Sequence, residues 1–321
     1  MDLAFSGAEE AFRAELRAWL AANLPPGWKG HGEFTTLADE VAFLREWQRR
    51  LHEGRWVGIH WPPEYGGRGA SVVEHYIFQE EIAAARAPEI INRIGVNLVG
   101  PTLIAHGTEV QKRRFLPPIL PAGELWCQLF SEPGAGSDLT ALRTRAERRG
   151  DGWVVSGQKV WTSYAQFARW GILLARTDPS APKARGISYF ICDMQAPGVT
   201  VRPLRQLTGS EEFNEVFLED VVIPREHLVG AENQGWAIAN TTLAHERGTA
   251  PRQLVIHRML LDDLLRPRAR GRPRRSRPPS AARAALDRGD DHAPQQLANA
   301  HPDRARPAAR PRGELREALL E

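Results

Sequence analysis

The first third of the chain places apolar residues at helical spacing. Ser6 and Glu9 fit a capping box, and Phe12 and Leu16 then lie on one face of the helix that this box would start. Further helices are predicted for residues 37–54, 73–86 and 93–106. Residues 61–69 contain two prolines and three glycines, so they predict a loop.

From about residue 122 the apolar positions recur with the period of a strand. Residues 153–155 and 159–161 flank Ser156-Gly157, and this arrangement predicts a hairpin. Further strands are predicted for residues 171–176, 187–193, 199–204 and 215–222. After Gly235 the helical period returns and continues to about residue 265.

These patterns predict an α+β fold. An N-terminal α-helical domain (residues 1–121) precedes a middle antiparallel β-domain (residues 122–232) and the start of a C-terminal helical domain (residues 233–265). Residues 266–321 lack Ile, Val, Phe, Tyr, Trp, Met, Cys and Lys, and 14 of these 56 residues are Arg. Such a segment cannot bury a core. It is either a disordered basic arm for anionic partners or the product of a frameshift in GC-rich coding DNA.

The basic character of the chain is concentrated in this tail. The net charge is +3, yet residues 1–265 alone are net acidic. The tail also has no aromatic side chains that could stack on bases, which disfavours nucleic-acid binding. A basic-tailed nucleic-acid-binding protein therefore stays only as a remote alternative.

Cysteine content and hydropathy indicate the compartment. Cys127 and Cys192 are too few for a disulfide framework and indicate a reducing environment. The sequence shows no secretory signal and no apolar run of membrane-spanning length. We therefore expect a cytoplasmic protein without a membrane span. No His, Cys and acidic residues have metal-ligand spacing, so no metal is expected.

Two motifs lie in the predicted β-domain. Residues 127–138 (CQLFSEPGAGSD) resemble the T-E-P-x-A-G-S-D segment of the acyl-CoA dehydrogenase family, and residues 157–163 (GQKVWTS) resemble its G-x-K-x-[WY]-[IT]-[ST] strand. The resemblance covers about residues 5–265. Supporting matches lie at residues 61–67, 100–103 and 219–224. It implies an acyl-CoA dehydrogenase-like fold with a truncated C-terminal helical domain, since the family ends in a four-helix bundle.

The motif residues suit a flavin. Its ring needs a flat apolar wall and hydrogen-bond donors at its polar edge, and Trp161 and Ser131 offer these two features. The resemblance implies FAD as cofactor, bound by Gln128, Phe130, Ser131, Gly136, Trp161, Thr162 and Ser163. It implies that Ser137 and Arg247 lie at the acyl-CoA substrate.

The family's reaction introduces an α,β double bond into an acyl-CoA thioester, with hydride passing to FAD and a proton to a glutamate base. In some members, including isovaleryl-CoA and long-chain enzymes, this glutamate lies on a helix after the β-domain, directly before an arginine. Glu246-Arg247 matches that pair, so Glu246 is the candidate base. The alternative is an ordinary helix carboxylate, with the base at a later position within residues 266–321.

The resemblance therefore implies a flavoprotein oxidoreductase of fatty acid metabolism and lipid catabolism. Electrons would pass to an electron-transfer flavoprotein, and the protein would form a homo- or hetero-oligomer. One alternative is a non-catalytic or inactive partner subunit of a hetero-oligomeric acyl-CoA dehydrogenase. The motifs distinguish neither acyl length nor a steroid from a fatty acyl substrate.

Overall fold

Four of the first five helices, the fourth being the exception, begin at side chains that cap them. The computed structural model describes residues 5–30, 32, 34–246 and 250–265. The first helices are α1 (Gly7–Asn23), α2 (Leu37–Glu53), α3 (Val72–Ala84), α4 (Gly100–His106) and α5 (Glu109–Phe115). In the predicted capping box, Glu9 N donates to Ser6 Oγ (3.3 Å) and Ser6 N donates to Glu9 Oε2 (2.6 Å). The helices predicted for residues 37–54 and 73–86 are confirmed, with ends shifted by at most two residues.

Trp61 fixes the chain segment that leads into α4. The predicted loop at residues 61–69 is confirmed, apart from a short 3₁₀ turn at Pro63–Tyr65. The buried indole of Trp61 donates from Nε1 to the carbonyl of Val96 (2.9 Å). It also packs so closely on Gly100 that an added Cβ there would lie 1.8 Å from the ring. Trp61 therefore holds the π-helical turn Gly95–Val99, which lies near the start of the predicted helix at residues 93–106.

The middle of the chain forms one mainly antiparallel sheet. Its strands are β1 (Trp126–Leu129), β2 (Arg145–Arg149), β3 (Gly152–Ser163), β4 (Trp170–Arg176), β5 (Ile187–Asp193), β6 (Val199–Leu204), β7 (Phe213–Pro224) and β8 (Leu228–Val229). The order is β6-β7-β3-β2-β4-β5-β8, with β1 also paired to β4. The β1–β4 and β2–β4 pairs are parallel. The α+β fold class is confirmed, and the proposed domain boundaries stay a prediction.

The predicted hairpin at Ser156-Gly157 is wrong. Residues 152–163 form the single strand β3, and the chain turns instead at Gly150, whose φ is 59°. Gly157 serves packing, because an added Cβ would lie 2.4 Å from Oγ1 of Thr144. A glycine within a strand often marks such a close approach, which a sequence pattern does not distinguish from a turn.

Two β-bulges interrupt the pairing of β3 with β7, and they offset each other. After Val155 the extra residue lies on β7, where Asp220 has a φ of 51°. Between Lys159 and Thr162 the extra residue lies on β3, where Trp161 has a φ of 60°. The second bulge leaves Lys159 and Thr162 buried and Trp161 61% exposed. It therefore turns one aromatic ring away from the core of the sheet.

Helix α6 (Gly235–Glu246) is joined to the N-terminal helices and to the sheet through Thr242. Its buried hydroxyl lies 2.8 Å from Oγ1 of Thr102 in α4 and 3.2 Å from the hydroxyl of Tyr189 in β5. Another helix, α7, spans Ala250–Leu265. Among the described residues, no helix combines the length and hydropathy needed to cross a membrane. The tail, residues 266–321, lies outside the described residues.

Candidate functional site

A cavity of about 310 Å³ lies where the two motifs meet. Its walls contain the predicted site residues Gln128, Phe130, Ser131, Gly136, Ser137, Trp161 and Ser163. Ile94, next to the π-helical turn, and Trp236 and Leu243 of α6 also line it. Residues from both helical parts therefore surround a site whose base is the sheet.

A buried ion pair fixes the two motifs to each other. Lys159 Nζ lies 2.8 Å from Glu132 Oε1 and donates to the carbonyl oxygen of Phe130 (3.0 Å). The Glu132 carboxylate also accepts the backbone N–H groups of Arg143 (2.6 Å) and Thr144 (2.9 Å). A carboxylate that accepts several such bonds holds its loop in one conformation, so the segment after β1 is fixed at both ends.

Burial and pairing together shift the pKa values of Lys159 and Glu132. Burial lowers the pKa of Lys159 to about 8, against the opposing effect of the Glu132 carboxylate. Burial acts to raise the pKa of Glu132, but the charge of Lys159 and the hydrogen bonds to the carboxylate outweigh it, so this pKa is lowered. Glu132 is therefore held ionised beside its cation.

Trp161 supplies the aromatic wall of the cavity. Its ring meets Phe213 edge-on, with centroids 6.0 Å apart and an interplanar angle of 86°. Phe130, on another wall, is buried and packs edge-on against Tyr189 at 5.9 Å. One aromatic ring is thus exposed to the cavity, and the other is fixed in the core behind it.

Thr162 lies beneath this wall rather than in the lining. It is buried, and its carbonyl oxygen accepts a hydrogen bond from Nδ2 of Asn214 (3.0 Å). Its hydroxyl has no hydrogen-bond partner among the described residues. Thr162 anchors the inner side of the bulge, and its contact with a cofactor stays a proposal.

The cavity has the features that a flavin ring needs. Within the described part of the chain, the side chains of Gln128, Ser131 and Ser163 make no hydrogen bond to other protein groups, so their polar atoms are free for a ligand. Gly136 faces open space, because an added Cβ would have no neighbour within 4 Å. A flat exposed ring, unpaired polar groups and open backbone together fit FAD.

Of the two site residues predicted at the end of α6, the structure describes only Glu246. Glu246 is the last residue of α6, three positions after Leu243 in the cavity wall. Arg247 lies outside the described residues. Their roles stay predictions.

Several residues that build the site have no role predicted from the sequence. Glu132 and Lys159 lie inside the motifs, and opposite charges within two adjoining motifs were the signal for their pairing. Ile94, Trp236 and Leu243 gave no such signal, because tertiary packing alone brings them to the cavity.

Two family models match the chain. The acyl-CoA dehydrogenase N-terminal domain matches residues 6–122, and the acyl-CoA dehydrogenase middle domain matches residues 127–221. The chain belongs to the acyl-CoA dehydrogenase family. Both motifs of the cavity lie within the match to the family's middle domain.

Relatives within the acyl-CoA dehydrogenase family support this membership. Acyl-CoA dehydrogenase IpdE1 of Mycobacterium tuberculosis is 46% identical over 262 residues, which are 78% of this chain and 66% of that protein. Acyl-CoA dehydrogenase FadE34 of the same organism is 52% identical over 219 residues, 67% of this chain and 30% of that protein. The matches therefore span less than two thirds of the length of these relatives.

A solved structure has the same fold. The protein named Tcur3481-Tcur3483 steroid ACAD superposes with a TM-score of 0.70 at 37% identity. The match covers 82% of this chain and 67% of that one.

Proposed function

We propose that this chain catalyses the flavin-dependent α,β-dehydrogenation of an acyl-CoA thioester. The observation that supports this most directly is the cavity in which the exposed ring of Trp161 faces unpaired polar side chains of both family motifs. FAD, when bound there, would supply the hydride acceptor. Electron-transfer flavoprotein is the proposed oxidant of the reduced enzyme.

The motif residues have distinct roles in this proposal. Trp161 would stack against the flavin, while Gln128, Ser131 and Ser163 would bind its polar edge, supported by Phe130, Gly136 and Thr162. The Lys159–Glu132 pair holds the loop that carries Ser131 and Ser137. Because this loop is fixed before ligands arrive, the site loses little free energy in ordering it.

Glu246 is the proposed base that accepts the α-proton, and Arg247 the proposed substrate-side cation. Glu246 follows Leu243 by three residues, which is the spacing of neighbours on one helix face. Thr242, directly before Leu243, fixes the helix to Thr102 and Tyr189. Such anchoring would keep the base at a constant distance from the substrate α-carbon.

The proposed substrate class is based on the name of a similar protein. The name of the superposed structure specifies a steroid ACAD, and we extend this to an acyl-CoA with a steroid-derived or fatty acyl group. The same name joins two components, which favours a hetero-oligomer. A partner subunit without activity is the second candidate on the same ground.

Flavin absorbance tests the proposal. The full chain, reconstituted with FAD, should lose its flavin absorbance when acyl-CoA is added without oxygen. Glu246→Gln should abolish this loss while FAD and acyl-CoA still bind. Glu109→Gln, at an exposed helix carboxylate, is the matched control and should behave as the parent protein.

The other outcomes separate the candidates. Undiminished bleaching in Glu246→Gln would contradict the role of Glu246 as base. Binding of FAD and acyl-CoA without bleaching in the parent chain would favour the inactive partner subunit.

A further inference from the structure

A second cavity, of about 60 Å³, is lined by apolar residues together with several polar side chains. Its apolar walls include Trp56, Phe78 and Ile82. Its uncharged polar side chains are those of His60, His75, Gln79 and Asn97, which come from a loop, α3 and the π-helical turn. A volume of this size holds on the order of four water-sized groups.

Two of these polar side chains lack a protein partner. His75 Nε2 lies 3.2 Å from Nε2 of Gln79, so these two side chains bond to each other. Within the described part of the chain, the imidazole of His60 and the side-chain amide of Asn97 form no hydrogen bond. Polar groups in a largely apolar cavity cost free energy unless a ligand or water satisfies them, so they mark a place for a hydrogen-bonding group.

The two histidines of the cavity are uncharged at neutral pH. Burial lowers the pKa of His60 to about 3, with the charges of His75 and His245 acting in the same direction, and burial also lowers the pKa of His75. Both imidazoles are therefore neutral near pH 7. Arg93 and Arg252 also line the cavity and share the carboxylate of Glu89, at 3.5 and 2.9 Å. Nε of Arg252 has no hydrogen-bond partner among the described residues, so it is a further donor beside the two imidazoles and the amide. These donors suit an oxygen acceptor.

The cavity lies close to the proposed reaction site. The charge of His245 contributes to lowering the pKa of His60, and His245 directly precedes Glu246 in α6. The other link is the segment around the π-helical turn, which contributes Ile94 to the flavin cavity and Asn97 to this one. A group extending from a substrate beside Glu246 therefore has this polar cavity within its surroundings.

We propose that the cavity binds a hydroxyl or ketone oxygen on the acyl group of the substrate, with His60 and Asn97 as its specificity-determining contacts. Asn97 would donate from its amide, and His60 would donate or accept according to its tautomer. The inference rests on the proposed function, because it assumes that the ligand is an acyl-CoA. It adds that a plain hydrocarbon acyl group is the poorer ligand.

Equilibrium binding tests the proposal without requiring turnover. Calorimetric titration of the full chain would compare cyclohexylpropanoyl-CoA with its ring-ketone analogue and with its ring-carboxylate analogue. The ketone should bind about tenfold more tightly than the unsubstituted compound, since one good hydrogen bond in an apolar site has that effect. The carboxylate should bind less tightly than the ketone.

Variants locate the preference. Asn97→Leu and His60→Phe should each reduce the preference for the ketone to about twofold or less while preserving the binding of the unsubstituted compound. Ile90→Val, an apolar change in the same lining, is the control and should retain the tenfold preference. The comparison of ligands on the parent chain stands even if a variant fails to fold.

Other results would overturn the proposal. Equal binding of ketone and unsubstituted compounds would refute the polar subsite and leave the proposed function intact. If the carboxylate analogue binds most tightly, Arg93 and Arg252 recognise the ligand instead. Absence of binding by every acyl-CoA would overturn both the subsite and the proposed function.

Discussion

Lys159 Nζ lies 2.8 Å from Oε1 of Glu132, and this buried pair joins the strand β3 to the loop after β1. The lysine side chain is fully buried and the glutamate 8% exposed. The pair therefore lies beneath the cavity that the two motifs line and not in it. It sets the distance between the two motifs whose outer residues, Ser131 and Trp161, line the proposed cofactor site.

Removing the lysine should destabilise the protein. Lys159→Met leaves the Glu132 carboxylate buried without its cation, which should lower the free energy of unfolding by about 3–5 kcal/mol. Adding Glu132→Gln to Lys159→Met removes the orphaned charge and should restore part of the loss. Urea unfolding followed by tryptophan fluorescence measures both effects.

An exposed ion pair gives the matched control for this change. Lys183 Nζ lies 2.9 Å from Oδ2 of Asp138, with side chains 68% and 58% exposed. Lys183→Met should change the free energy of unfolding by less than about 1 kcal/mol. Similar losses from Lys159→Met and Lys183→Met would show that burial of the Lys159 pair is unimportant.

Trp161 should affect FAD binding more than it affects stability. Because its ring is 61% exposed, Trp161→Ala removes little core packing but deletes the proposed stacking surface. The affinity for FAD should fall about three- to tenfold, which is the usual effect of one aromatic contact. Trp161→Phe should retain most of the affinity, as judged by quenching of flavin fluorescence. An unchanged affinity in Trp161→Ala would exclude stacking at this position.

Thr242 should matter for the anchoring of α6. Thr242→Val keeps the shape of the side chain but leaves the hydroxyls of Thr102 and Tyr189 without this partner. A cost of about 1–3 kcal/mol in unfolding free energy is expected. Thr242→Ser retains the hydroxyl and should lose less. The prediction fails if valine is tolerated as well as serine in urea titrations.

His60 should make the fold sensitive to acid. Its pKa is lowered from 6.5 to about 3 by burial, so between these values the unfolded chain binds a proton that the folded chain does not. Stability from this group is complete above pH 6.5 and falls as the pH drops towards 3, by about 1.4 kcal/mol per pH unit.

The variant His60→Phe should remove this slope. Its unfolding free energy, measured in urea at several values between pH 6.5 and 4, should fall less steeply than that of the parent protein. His257→Phe, at an exposed histidine, is the control for replacing an imidazole by a phenyl ring. Parallel curves for the parent and His60→Phe would contradict a neutral His60.

Local patterns were sufficient for many elements but not for the site. The strands at residues 187–193 and 199–204 are predicted to the residue, because turn residues flank both of them. Gly157 misleads, since its lack of a side chain serves contact with Thr144 and not a turn. The motif residues Ser131 and Trp161 identify one side of the cavity.

The opposite side depends on contacts that no local pattern encodes. Ile94 and Trp236 reach the cavity from segments about 140 positions apart in the chain, through the packing of helices against the sheet. The hydrogen bonds of Thr242 that hold α6 in place likewise connect residues distant in sequence. Long-range contacts of this kind follow from the whole fold.

The paired bulges of β3 and β7 make two distant positions interdependent. One extra residue at Asp220 is compensated by one at Trp161, so the ends of both strands meet as if neither were present. Deleting Trp161 alone should therefore misalign residues 162–163 with β7 and exchange inward for outward side chains there. Deleting a residue from each bulge should restore the alignment but place no ring beside the cavity. During evolution, the two inserted residues could be lost without harm to folding only if both were lost together. The two bulges would therefore persist as long as the exposed tryptophan is needed.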